Sequence, residues 1–184
     1  MNCLKTISVE NQFGKLRLSF LSMIIMMGYF LIFFMVFRTF FQNAPLVDHG
    51  ILFLFFSLLI IIPIHLLLHC LPIWLTGKKA TFGIRKTQWP YFYYSTKQPL
   101  SKYVSLLSTA APALILTTLS IVGAFIFPHL VHYIAMMSAL NMGICVYDYL
   151  NFRQISHAPR QCLIEETRDG FYILSPAMKN NSSF

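Results

Sequence analysis

The stretch IIIPIHLLLHCLPIWL, from Ile60 to Leu75, is almost entirely hydrocarbon, yet it carries two histidines four residues apart. A run this apolar predicts a helix that lies in a lipid bilayer. Ionisable side chains inside such a helix are costly, and they are usually functional or paired with one another. This apolar run therefore indicates the fold class, and the polar groups that lie near His65 and His69 decide the chemistry.

The composition excludes an ordinary soluble domain. The 184 residues are 57% hydrophobic and only 11% charged, whereas soluble domains are about 45–50% apolar and about 25% charged. Such a chain has too little polar surface to cover a globule in water, so its first predicted partner is the lipid bilayer. The formal charge of +8 does not indicate nucleic acid, because the basic residues are divided among three segments that flank apolar runs, as orientation signals are.

Four runs are long enough to cross the hydrocarbon core, which needs about 20 apolar residues in a helix. They predict an all-α polytopic membrane protein whose transmembrane domain covers residues 18–151. A proline alone separates the last two runs, so we expect a tight helical hairpin there. The predicted spans are 18–41, 51–75, 103–127 and 129–151.

The orientation follows from the lysines and arginines, which accumulate on the cytoplasmic side of a membrane. They concentrate in the tail 1–17, in the loop 76–102 and in the tail 152–184. Four spans place these three segments on one side. We therefore expect a multi-pass protein of the cell membrane with both termini in the cytoplasm.

The cytoplasmic segments carry short β-like patterns. Residues 80–95 of the loop are rich in β-branched and aromatic side chains, and the tail has two such runs around Asp169–Gly170, a strong hairpin turn signal. These patterns predict small β-hairpin elements in the loop and in the tail. The last residues, 179–184, are predicted to be disordered.

Three ionisable side chains lie deep in the predicted spans. His65 and His69 share one helix face and could reach one metal ion, and Asp148 is the one carboxylate within any span. His69 lies about 9 Å before Leu75, and Asp148 lies about 7.5 Å before Arg153 at the inner boundary. These matched depths allow either a zinc site with three protein ligands or a His–Asp pair between helices that needs no metal.

The order of several segments resembles a known family. PIHLLLHCLPI is followed by FGIRKTQWPYFYY, then LSKYVSLLSTAAPALIL, then ALNMGICVYDYLNFRQISHAPRQCLIEETRDGFYIL. This order is similar to that of the bacterial zincin-type membrane metallopeptidases, a family of unknown function, and more distantly to that of the site-2 intramembrane proteases. The resemblance implies a zinc cofactor bound by His65, His69 and Asp148, with Asn141 as a second-shell or substrate contact, and it matches Pro112 to a proline of the third helix.

One departure from the family pattern decides the functional expectation. In the motif H-E-x-x-H the glutamate is the general base, and here Leu66 stands in its place. Losing a general base typically costs about 10²–10⁴-fold in rate. No catalytic residue is therefore assigned, and the remaining span carboxylate is Asp148.

Three functions remain open from the sequence. The first choice is a non-catalytic member that acts as a membrane binding or regulatory platform for a partner protein. The second is a divergent zinc-dependent intramembrane metallopeptidase that cleaves a substrate helix. The third is a small proton or cation transport subunit.

Overall fold

The computed structural model describes residues 2–7, 13–84, 92–96, 98–167 and 170–175. Its main elements are four long helices, each of which is long and apolar enough to cross a membrane. This confirms the expectation of a polytopic helical protein, while the orientation in the membrane stays a prediction. The helices are α1 (Lys15–Phe40), α2 (Gly50–Leu75), α3 (Lys102–Ile126) and α4 (Val131–Ser156).

Helix α4 is the centre of the bundle. It packs against both α1 and α3, and α2 packs against α3 and α4. Half of the most apolar window of α4 is buried inside the protein, against 11% for α1. A short 3-10 turn, Pro128–Leu130, joins α3 to α4 as the tight connection that the intervening proline predicted. Residues of α4 are therefore well placed to form a site with α2 and α3.

A close approach between backbones brings α1 against one face of α4. The Ser22 hydroxyl donates a hydrogen bond to the Gly143 carbonyl oxygen at 2.5 Å. A Cβ atom added at Gly143 would lie 3.2 Å from the Cβ of Met26 and 3.3 Å from the Ser22 Oγ. A side chain at position 143 would require Met26 or Ser22 to shift by a few tenths of an ångström, in keeping with the small residues through which helices in a membrane associate closely.

The segments before α1, between α2 and α3, and after α4 form two antiparallel sheets. One pairs β2 (Ala80–Ile84) with β3 (Phe92–Thr96), and the other has the strand order β1-β6-β5-β4. The predicted β-hairpin elements of the loop and the tail are thus confirmed. The remaining strands are β1 (Asn2–Ile7), β4 (Leu100–Ser101), β5 (Leu163–Thr167) and β6 (Gly170–Ser175).

The four-stranded sheet joins distant parts of the chain. Strand β1, which the sequence did not predict, pairs with β6, so the amino-terminal segment adds to the hairpin of the tail. Asp169 of the predicted turn and the predicted disordered end 179–184 lie outside the described residues. Buried side chains of the sheet, of the end of α4 and of the segment between them form one core: Ile155, Ala158, Cys162, Ile164, Phe171 and Ile173.

A lysine connects α3 to α4 at the end of the bundle that carries the four-stranded sheet. The Lys102 ammonium, at the start of α3, donates hydrogen bonds to the carbonyl oxygens of Ser156 at 2.7 Å and Ala158 at 2.5 Å. These carbonyls lie at the carboxyl end of α4, where a cation complements the helix dipole. The contact fixes the start of α3 against the carboxyl end of α4.

Candidate metal centre

His65 and His69 present their ring nitrogens to each other on one face of α2. The Nε2 atoms are 3.1 Å apart, and the two rings are nearly perpendicular, with centroids 4.8 Å apart. Both side chains are buried. The approach follows from helical geometry, because residues four apart lie one above the other on the same face.

Asp148 of α4 completes a compact group with the two histidines. Its Oδ2 lies 3.2 Å from the His65 Nε2, and its Oδ1 lies 3.4 Å from the His69 Nε2. These are ion-pair distances, yet the buried Oδ2 makes no well-aligned hydrogen bond with any residue that the structure describes. We call His65, His69 and Asp148 the donor cluster, and the structure brings all three predicted ligands into it.

A proline in α3 explains the orientation of His69. In a helix the carbonyl of residue 108 would accept the N–H of residue 112, but Pro112 has no N–H. The Ser108 carbonyl is therefore available, and it accepts a hydrogen bond of 2.8 Å from the His69 Nδ1. The Ser108 hydroxyl in turn donates to the His69 carbonyl oxygen at 2.6 Å. Ser108 thus holds His69 by two hydrogen bonds.

Asn141 orients His65 in a similar way. Its Oδ1 accepts a hydrogen bond of 2.9 Å from the His65 Nδ1, and its Nδ2 donates to the Pro112 carbonyl oxygen at 3.4 Å. The second contact fixes which end of the amide faces the imidazole. Asn141 is completely buried, and it occupies the outer-shell position in which partners of metal-binding histidines are found.

These contacts determine where the lone pairs of the site point. A carbonyl and an amide oxygen can only accept, so the Nδ1 atoms of His65 and His69 both carry hydrogen. In the neutral imidazoles both Nε2 atoms then present lone pairs to each other and to the Asp148 carboxylate. Two nitrogens and two carboxylate oxygens this close require a cation between them, which can be a metal ion or a proton on one ring.

The donor cluster fits zinc by distance and by chemistry. Zinc binds His nitrogen and carboxylate oxygen at about 2.0–2.2 Å, so two ligands of a tetrahedral ion are about 3.3–3.5 Å apart. The measured separations in the cluster are 3.1 Å, 3.2 Å and 3.4 Å. The outer-shell bonds to Ser108 and Asn141 leave the Nε2 atoms of both rings directed inward, as metal binding requires.

The structure adds one residue that the sequence analysis does not name. A free cysteine in an apolar run usually packs as a small hydrophobe, but a donor atom from each of His65, Cys145 and Asp148 lies within 4.8 Å of the others. Its spacing was a usable signal. Cys145 is four residues after Asn141 and three before Asp148, so all three lie on one face of α4.

Leu66, at the position of the motif glutamate, belongs to a different environment. Its side chain packs against an apolar cluster of Cys70, Ile73 and Leu100. A leucine offers no proton acceptor, and this one contributes to packing between α2 and the start of α3. Of the other acidic residues, Glu165 lies on β5 of the sheet, and the side chain of Glu166 lies outside the described part of the chain.

Two of the other four histidines, His49 and His132, belong to a second polar group at the other end of the bundle. Asp48 Oδ1 accepts hydrogen bonds from the Tyr133 hydroxyl at 2.6 Å and from the Gly50 N–H at 2.8 Å. The hydroxyl in turn accepts the His49 N–H at 2.8 Å, and the His132 ring stacks on Tyr133 at 4.1 Å. We call Asp48, His49, His132 and Tyr133 the cap cluster. The tyrosine hydroxyl holds the pKa of Asp48 below its usual value.

The comparisons with known proteins give one match. A family model with the description "Putative zincin peptidase" matches residues 58–163, which include the donor cluster, Asn141 and Cys145. None of the curated proteins and none of the solved structures matches the chain. The matched region is more than half of the 184 residues.

Proposed function

Because the chain belongs to the family described as "Putative zincin peptidase", we propose that it is a non-catalytic, metal-binding member that acts in the membrane as a binding or regulatory platform. The observation that carries the proposal is a contrast between two neighbours in the sequence. His65 faces two further donor atoms, whereas Leu66 packs into an apolar cluster. The chain thus has candidate metal ligands in His65, His69 and Asp148, but position 66 has no glutamate to act as the general base of hydrolysis.

In this proposal His65, His69 and Asp148 hold a zinc ion, with Ser108 and Asn141 orienting the two imidazoles. Zinc in such a site can polarise a bound group or fix the helices that carry its ligands. Here the ligands come from α2 and α4, and their outer-shell partners come from α3 and α4. The metal would therefore set the mutual arrangement of three helices.

The hydrolytic role lacks a residue to perform its proton transfer. A general base must lie within about 3 Å, or one water, of the proton that it removes. The described carboxylate near the imidazoles is Asp148, which is itself one of the predicted ligands. A platform that binds a partner membrane protein requires no such base. Both termini and the sheet are proposed to lie in the cytoplasm, where such a partner could also be contacted.

Metal analysis tests the first half of the proposal. Zinc and other transition metals are quantified per chain in the detergent-purified protein and in the triple variant His65→Ala, His69→Ala, Asp148→Ala. We expect about one metal ion per wild-type chain and almost none in the variant. The matched control changes His49, His132 and Asp48 to alanine in the cap cluster and should keep the metal. Equal metal content in wild type and triple variant would refute the assignment.

Proteolysis tests the second half. Membrane proteins reconstituted together with the wild-type chain, Leu66→Glu and Leu66→Gln are followed for cleavage over hours. We expect no cleavage by the wild type, because position 66 supplies no base. Cleavage by the wild-type chain that depends on His65 would instead establish the alternative function, a divergent zinc-dependent intramembrane peptidase. The glutamine variant separates the effect of a carboxylate from that of a polar side chain of similar size.

A further inference from the structure

Cys145 lies beside two of the three proposed metal ligands. Its donor atom falls within 4.8 Å of those of His65 and Asp148, and it is buried. His65 and Asp148 thus belong to two adjoining groups, one completed by His69 and the other by Cys145. The thiol contacts the same outer-shell amide as His65, since its Sγ lies 3.7 Å from the Asn141 Oδ1.

The geometry of a shared metal sets how close the sulfur has to come. A sulfur and a nitrogen bound to one tetrahedral zinc ion are about 3.5 Å apart, given bond lengths of about 2.3 Å and about 2.0–2.1 Å. The donor atoms of Cys145, His65 and Asp148 lie within 4.8 Å of one another, so a rotation about the Cα–Cβ bond of Cys145 has to bring the sulfur closer to both neighbours. On ligation the thiol releases its proton to solvent and the thiolate sulfur bonds to the metal.

We propose that Cys145 is the fourth protein ligand of the metal held by His65, His69 and Asp148. This inference rests on the proposed function and deepens it. Structural zinc sites have four protein ligands, whereas catalytic sites keep one position open for water. A thiolate from Cys145 would occupy that position. The site is then closed to water at the metal, which agrees with the absence of a general base at Leu66.

Cobalt substitution tests this ligand by a signal that does not depend on enzymatic activity. A thiolate bound to Co²⁺ produces a charge-transfer absorption band in the near ultraviolet, which nitrogen and oxygen ligands do not produce. We expect the band in the cobalt-loaded wild-type protein and its loss in Cys145→Ser. The affinity of this variant for cobalt should fall by more than the about 10–100-fold that loss of an outer-shell partner costs.

Cys70→Ser is the matched control. Cys70 is also buried, and it directly follows His69 in the sequence, but it packs with Ile73 and Leu100. This variant should keep both the band and the affinity. X-ray absorption of the zinc-loaded wild-type protein provides a measurement that needs no variant. It should show a sulfur atom at about 2.3 Å from the metal beside nitrogen and oxygen at about 2.0–2.2 Å.

The outcomes distinguish the two proposals. If the wild-type chain binds no metal, the metal centre itself is refuted, and the ligand assignment with it. If the chain binds one cobalt ion without the charge-transfer band, and the zinc spectrum lacks sulfur, Cys145 is not a ligand although the metal centre stands. Loss of the band in Cys70→Ser, with retention in Cys145→Ser, would equally overturn the assignment.

Discussion

The donor cluster and the cap cluster contain the same kinds of residues but differ in what their polar atoms face. In the cap cluster the carboxylate of Asp48 accepts from a hydroxyl and a backbone N–H, so its charge is satisfied by donors. In the donor cluster the carboxylate of Asp148 faces the Nε2 atoms of two imidazoles, which in the neutral form direct lone pairs toward it. A set of acceptors that converge requires a cation, whereas a carboxylate surrounded by donors does not.

The two clusters also differ in how the histidines are held. In the donor cluster each Nδ1 atom has an acceptor of its own, on Ser108 or on Asn141. In the cap cluster the rings contact aromatic side chains, with His49 against Phe53 at 5.1 Å and His132 against Tyr133 at 4.1 Å. Histidine and aspartate close together are therefore weak evidence for a metal site. Hydrogen-bond acceptors that hold each Nδ1–H, and so direct the Nε2 atoms inward, are stronger evidence.

The largest expected difference between the clusters is in metal-dependent stability. A metal ion that binds only the folded state stabilises it by about 2.7 kcal/mol when its free concentration is 100 times the dissociation constant. A chelator should therefore lower the unfolding temperature of the wild-type protein in detergent, measured by the loss of helical circular dichroism. Asp148→Asn removes a ligand charge and should abolish this response.

Asp48→Asn is the same substitution in the cap cluster, and it should keep the full response to the chelator. Because both variants lose one negative charge, a general electrostatic effect would appear in both. If the two variants responded alike, the distinction between the clusters would be wrong.

The second expected effect concerns Pro112, which leaves the Ser108 carbonyl free to accept from His69. Pro112→Ala restores an N–H that can bond that carbonyl within α3, in competition with the imidazole. We expect the metal affinity to fall by about 10–100-fold, the range for loss of an outer-shell partner. A competition titration with a coloured chelator measures it.

Pro63→Ala in α2 is the control for removing a helix proline. Pro63 is exposed and precedes the ligands on the same helix, so its replacement should leave the affinity unchanged. A wild-type affinity in Pro112→Ala would mean that the freed carbonyl has no part in holding His69.

The third effect is that of Asn141. Replacement by leucine keeps the approximate size but removes the acceptor of the His65 Nδ1–H, and it leaves a buried donor without a partner at a cost of about 1–3 kcal/mol. The metal affinity should fall by about 10-fold. Asn141→Asp keeps an acceptor at the same place and should restore most of the affinity in the same titration. Failure of the aspartate to do better than the leucine would show that size, and not hydrogen bonding, matters at this position.

The sequence predicts the helices well because each spanning helix is specified locally, by about 20 apolar residues in a row. The pairing of His65 with His69 is local too, since it follows from a spacing of four on one helix. Asp148 could be included from its depth in the bilayer, because the bilayer imposes a common axis on all four helices. These features need no knowledge of which helix faces which.

The features that the sequence did not reveal depend on contacts between distant segments. Strand β1 has no distinctive pattern, and it becomes a strand by pairing with β6 at the other end of the chain. Pro112 is visible as a helix-breaking residue, but its use depends on which side chain of α2 meets the freed carbonyl. Cys145 could not be identified as a candidate ligand from its sequence neighbours, since a buried thiol has apolar neighbours in the sequence whether it packs in a core or binds a metal.

The smallest expected effect is a pH-dependent change in the cap cluster. The hydroxyl of Tyr133 lowers the pKa of Asp48, so the contribution of this carboxylate to stability is present above its unfolded pKa and is lost as the pH falls through the lower folded pKa. Tyr133→Phe should lower the unfolding temperature slightly at neutral pH, and the difference from wild type should shrink below about pH 4, where unfolded aspartate is protonated. Metal content should not change.

Tyr29→Phe provides the matched control, because the Tyr29 hydroxyl bonds the hydroxyl of Ser138 at 3.0 Å and, among the described residues, no carboxylate. Its effect on the unfolding temperature should therefore be the same at neutral and acidic pH. If Tyr133→Phe also gave a pH-independent difference, the hydroxyl would act on the His49 N–H alone and Asp48 would not depend on it. If Tyr133→Phe released metal, the cap and donor clusters would be coupled through α4, and their separation into a packed end and a binding centre would fail.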